Sequence, residues 1–124
     1  MNKHHVVPLE EVDGLKFGAD RSEVRIKFGE YTEFKKTPLS SNTTDDFGFC
    51  HVYYDENNKM EAVEFFDADV YIGEIKVYPV PESSFRQLFD DLDDDMISVS
   101  KSIGIYYPDD EPEAILFGIK GYYE

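Results

Sequence analysis

The chain has 124 residues, enough for one domain with a sizeable core, and 41% of them are hydrophobic and 15% aromatic. Twenty-seven acids against twelve bases leave a formal charge of −15, and residues 45–124 hold the whole excess, with twenty acids and five bases, while residues 1–44 balance at seven each. This composition excludes a membrane-spanning helix, since no window approaches the roughly 18 apolar residues a span needs, and an acidic disordered tail, since ten Phe and nine Tyr recur through the acidic stretches.

In chain order, Val6–Phe17 reads as extended. Asp20 to Phe28 is a helix candidate: Asp20 and Glu23 have capping-box spacing, Val24 and Phe28 share a face, and Gly29 supplies the stop. Lys35–Asp46 is a polar loop containing Asn42-Thr43-Thr44. Two strand-like runs follow, Phe47–Tyr54 and Glu61–Phe66, separated by the turn-rich Asp55-Glu56-Asn57-Asn58-Lys59. Asp69–Tyr78, rich in β-branched and aromatic residues, is a further strand candidate. Phe85, Leu88, Phe89 and Leu92 then stand at i, i+3, i+4 and i+7, the spacing of one helical face. Ser98–Tyr107 and Glu113–Tyr122 are the last strand-like runs, joined by Pro108-Asp109-Asp110-Glu111-Pro112. The order helix, strand, strand thus occurs twice. It predicts a single α+β domain over residues 1–124, with one antiparallel sheet and two helices on one face.

Aromatic doublets define what the other face of that sheet would carry. Neighbouring strand residues point to opposite sides, so one member of each of Tyr53-Tyr54, Phe65-Phe66, Tyr106-Tyr107 and Tyr122-Tyr123, all in or at the end of an expected strand, must face away from the helices. Taking the more apolar parity as the core puts Val63, Phe65, Ile103, Ile105, Ile115, Phe117 and Ile119 inside. Phe49, His51, Tyr53, Glu64, Phe66 and Tyr106 are left on an aromatic and acidic outer face. Large rigid aromatics mark interfaces, and surrounding acids orient and accelerate the approach of a basic partner. The alternative is that a loop such as Lys35–Asp46 folds over this face and buries the aromatics.

Catalytic and metal chemistry find little support. Cys50 and His51 are adjacent on a strand and diverge, so they are not expected to share a metal or act as a nucleophile and base. The run Asp90-Asp91-Leu92-Asp93-Asp94-Asp95 invites a calcium reading, but an EF-hand started at Asp91 would have Met96 where a Gly is required and Ser102 where a Glu is required. Gly14-Leu15-Lys16-Phe17-Gly18 lacks the further glycines of a phosphate loop. No catalytic residue, metal or cofactor is therefore expected, and direct nucleic-acid binding is disfavoured by the shortage of Lys and Arg beyond residue 44. One cysteine and the absence of a signal-like apolar run in the first residues lead to the expectation of a cytoplasmic protein.

The segments "GLKFGADRSEVRIKFG", "DDFGFCHVYYDENNKMEAVEFF" and "SKSIGIYYPDDEPEAILFGIKGYY" together resemble small bacterial immunity proteins of polymorphic-toxin and contact-dependent growth inhibition loci. The resemblance lies in the overall pattern and the terminal "GYY", and implies an inhibitor of a basic, nuclease-type toxin domain. Combined with the charge, it leads to an expected contact set of Tyr53, Glu64, Phe66, Asp69, Asp93, Asp94, Asp95, Tyr106, Asp109 and Asp110, with aromatics as anchors and acids as steering charges. A small-ligand or structural module whose acidity serves only solubility is the other reading.

Overall fold

The computed structural model describes residues 3–40 and 42–124. Its elements in chain order are β1 (Lys3–Val7), β2 (Glu11–Val12), β3 (Leu15–Lys16), α1 (Arg21–Phe28), β4 (Thr32–Phe34), β5 (Thr44–Asp46), β6 (Cys50–Tyr54) and β7 (Met60–Phe65). They continue with β8 (Asp69–Ile72), β9 (Ile75–Tyr78), α2 (Glu82–Leu88), β10 (Ile97–Ser98), β11 (Ile103–Tyr106) and β12 (Ala114–Gly118). The strands make two sheets, ordered β3-β2-β1-β8-β9 and β10-β11-β12-β7-β6-β5-β4. Pairing is antiparallel except between β1 and β8, where His4 lies opposite Val70 in a parallel register.

This overturns the expected fold class. Among the described residues the chain is mostly β, with two sheets and two helices of only eight and seven residues, instead of one sheet covered by two helices. Two segments account for the second sheet. Val6–Phe17 and Asp69–Tyr78, read as single extended pieces, each fold back on themselves. The first turns at Leu9 and again at Asp13 and Gly14, all with positive φ, and the second at Gly73 with φ 60°. Their strands then pair with one another into the five-stranded sheet. Helices this short cannot cover seven strands, so that sheet supplies the missing apolar cover: Val6, Val12, Leu15, Val70 and Val77 share one hydrophobic cluster with Val52, Val63, Phe65, Ile105 and Phe117 of the other sheet.

Alternation of apolar residues sorts the seven-stranded sheet except at Phe49: expected on the outer face, it precedes β6 and packs on the core side against His4 and Phe65. Val63, Phe65, Ile103, Ile105, Ile115 and Phe117 are at most 4% exposed in that cluster, and Ile119 is half-buried. Phe85 and Phe89 join it at 5.0 Å between ring centres, with Leu88 and Leu92 at its edge. The helix stops at Leu88, however, and Leu92 bridges to Ser98 from extended backbone.

The first helix is held by ion pairs, not by its cap. Asp20 makes no side-chain capping bond; its carboxylate pairs with Lys59 instead. On the inner side Arg21 and Arg25, one turn apart, converge on Asp45 of β5, which is fully buried. Arg25 donates from Nε and Nη2 at 2.9 Å each, Arg21 from Nη2 at 2.7 Å, and the Tyr54 hydroxyl from 2.9 Å. Burial by itself would push the Asp45 carboxyl up, but these donors outweigh it and hold the group below the ordinary carboxylate range. Asn42 and Thr43, from the expected polar loop, accept further bonds from Arg21. Among the described residues, no helix is long and apolar enough to cross a membrane.

Candidate functional site

The outer face of the seven-stranded sheet is built by strand register. His51 stands opposite Glu64, Glu64 opposite Leu116, and Leu116 opposite Gly104, so four strands bring these residues into one row. A second row runs Tyr53, Ala62, Gly118. Because these positions sit on paired strands, their spacing is set by the backbone ladder and costs little further ordering on binding.

Part of this face is covered from within. Tyr53, Ala62 and Leu116 form a second, small hydrophobic cluster over which Tyr122 and Tyr123 pack. The C-terminal turn can lie this close because β11 and β12 present glycines there: a Cβ on Gly118 would stand 2.6 Å from Cγ of Tyr122, and one on Gly104 would stand 2.9 Å from Cζ of Tyr123. Glycine inside a strand marks such close approach, and this was the available sequence signal. Replacing Gly118 with Ala is expected to cost about 1–3 kcal/mol, the range for overpacking, and to open the tyrosine cover. Urea unfolding and acrylamide quenching of tyrosine fluorescence check both effects. Gly104→Ala should cost less, since the obstructing atoms belong to the far end of a side chain.

The expected contact set divides in three. Tyr53, Glu64, Phe66 and Tyr106 lie on or beside the outer face, but not equally open. Tyr53 is 9% exposed, donates its hydroxyl to Glu64 Oε1 at 2.8 Å, and is covered by Lys36, whose ammonium sits 4.5 Å from its ring centre. The C-terminal turn and Lys36 therefore both reach over this aromatic, while the end of the expected loop, Thr44–Asp46, is instead strand β5. Burial, aided by the bond to Glu64, pushes the Tyr53 hydroxyl up, so it stays a donor. Phe66 is half-buried with its ring 4.8 Å from that of His51. Tyr106, by contrast, is 59% exposed.

The acidic run behaves as a turn. Asp93 Oδ1 accepts the backbone N–H groups of Asp95 and Ile97, at 2.9 and 3.0 Å, so its carboxylate shapes the loop. Asp94 and Asp95 are exposed, and Asp95 joins Glu64 and Tyr106 around a depression of about 190 Å³. Asp69, Asp109 and Asp110 lie elsewhere. Asp69 opens β8 in the other sheet and pairs with Lys76 at 3.3 Å, while Asp109 and Asp110 are exposed in the β11–β12 connection, with Asp110 beside Pro79 and Pro81.

Cys50 is fully buried in the core, where burial pushes its thiol up, and His51 is on the opposite face between Asp46 and Glu64. An open cleft of about 580 Å³ lies beside β1 and α1. There His4 Nδ1 is 2.5 Å from Asp13 Oδ2 and the ring stacks on Phe49 at 4.6 Å, contacts that tie the β2–β3 turn to the aromatic core. Comparison with known proteins finds no family model, no curated relative and no solved structure that matches this chain.

Proposed function

We propose that this protein is an immunity-type inhibitor that binds and neutralises a basic, nuclease-type toxin domain through the outer face of its seven-stranded sheet. The observation that supports the reading is Tyr106, a tyrosine left 59% exposed on a rigid strand with Glu64 and Asp95 beside it, in a protein of formal charge −15. Exposed aromatic area on a fixed scaffold gives contact at low entropic cost, and a negative field raises the rate of encounter with a basic surface. The pattern-level resemblance to immunity proteins points the same way. Such inhibition needs no chemistry from this chain, since occupying or flanking a basic cleft excludes a polyanionic substrate. A cytoplasmic location belongs to the same proposal.

The test is to mix the protein with a basic toxin domain encoded beside it. Activity should fall to zero at one equivalent and be indifferent to chelators. Progressive inactivation by far less than one equivalent would reveal turnover and overturn the binding account.

Steering is testable separately. Replacing Asp94 and Asp95 with Asn should slow association and flatten its salt dependence between about 50 and 500 mM, because charges at the edge of an interface act through long-range attraction. Asp93 is omitted from that variant because its carboxylate holds the turn. Stopped-flow traces that superimpose on wild type at every salt concentration would assign Asp94 and Asp95 to solubility alone.

A further inference from the structure

The depression on the outer face has an apolar floor, two aromatic sides and an anionic rim. Ile97 and Leu116 line it together with Tyr106 and Tyr123, and Glu64 and Asp95 complete its edge. Among the described residues, no Lys or Arg lines it. Four tyrosines elsewhere in the molecule are each capped by a cation: Lys3 lies over Tyr71, Arg21 over Tyr54, Arg25 over Tyr31 and Lys36 over Tyr53. Among the described residues, neither Tyr106 nor Tyr123 carries such a cation, and neither Glu64 nor Asp95 is paired with a Lys or Arg. The Glu64 carboxylate is held in place by the Tyr53 hydroxyl.

We propose that this depression is the socket for one arginine side chain of the protein partner. The inference rests on the inhibitor reading and names what its face would hold. An apolar floor alone would take any aliphatic group; two carboxylates at the edge select a cation, and aromatic sides select a flat one. A guanidinium stacks on a tyrosine face while its fork reaches a carboxylate, and the methylenes behind it lie along Leu116 and Ile97. A lysine ammonium is a more strongly hydrated point charge and gains less from the rings. Placed between strands and the C-terminal turn, the socket is open to solvent, and its lining is set by the fold before a partner arrives.

The test uses acetyl-arginine methylamide as probe, followed by amide NMR shifts. Saturable shifts should be confined to Ile97, Gly104, Leu116 and Tyr123, the lysine analogue should bind more weakly, and the neutral citrulline analogue should not bind. Glu64→Gln, which keeps an acceptor for Tyr53, should weaken the probe about tenfold or more, as loss of a charge-assisted contact does. Tyr106→Ala should act similarly, and its exposure protects the fold; Glu74→Gln, in the exposed turn between β8 and β9 of the other sheet, should leave binding unchanged. Equal shifts from arginine and lysine spread over the Asp109–Glu111 loop would overturn the socket, as would the absence of saturation. The two proposals fail differently. A basic domain that binds both variants as tightly as wild type removes the socket but not the inhibitor, whereas a saturating arginine probe with no basic domain bound removes the inhibitor.

Discussion

Replacing Asp45 with alanine is expected to destabilise the protein by about 3–5 kcal/mol, the loss typical of breaking a buried ion pair from one side. Asp45 is fully buried and accepts from Arg21, Arg25 and Tyr54 at 2.7–2.9 Å. Its removal strands Arg21, itself only 9% exposed, without its principal counter-charge, and leaves the buried Tyr54 hydroxyl with no acceptor. Glu33 cannot substitute: it lies 3.3 Å from Arg21 and 3.4 Å from Arg25 but at the exposed side of the cluster. The same network predicts the acid limb of stability. Asp45 has a folded pKa below its ordinary value, so its contribution is complete above the unfolded pKa of about 3.9 and is lost as pH falls from there through the lower folded value. Urea midpoints measured for wild type and Asp45→Asn should therefore converge as pH falls below about 4. A gap that stays constant over that range would show that the carboxylate is not the source of the effect.

Phe65→Ala should produce a loss of similar size, about 3–5 kcal/mol, by opening a cavity where the two sheets meet. Phe65 is fully buried on β7, with the rings of His4 from the five-stranded sheet at 5.2 Å and Phe117 from β12 at 6.2 Å. Both of these neighbours belong to paired strands and cannot collapse into the space without breaking the ladder. Phe65→Leu retains much of the volume and should lose distinctly less, which urea unfolding of the two variants resolves. A loss below about 1 kcal/mol for the alanine variant would mean that the sheets are not joined through this ring.

Local pattern went a long way within single strands. Alternation placed Val63, Phe65, Ile103, Ile105, Ile115 and Phe117 on one side and Glu64 and Tyr106 on the other, because side-chain direction along a strand is a two-residue repeat independent of what the strand pairs with. Gly29, with φ 92°, ends the first helix for an equally local reason. Reading Asp20 as a cap failed because a carboxylate can choose between a helix amide and an ammonium, and Lys59, thirty-nine residues away, lies within reach only in the fold.

Composition, charge and strand parity are carried by the order of residues alone, and they suffice to say that this chain builds a core, carries an acidic surface and exposes tyrosine on a sheet. The second sheet, the Asp45 cluster and the tyrosine cover are properties of long-range pairing. Val6–Phe17 and Asp69–Tyr78 become strands of a common sheet only when β1 meets β8 in parallel, sixty-odd residues apart. Arg21 and Asp45 are separated by twenty-four positions, and nothing in either neighbourhood announces the other. Tyr53 and Tyr106 are both strand tyrosines of the outer face, yet one is 9% and the other 59% exposed. Their difference depends on where the C-terminal turn and Lys36 come to rest, since burial is decided by whatever packs above a side chain and not by the strand that bears it.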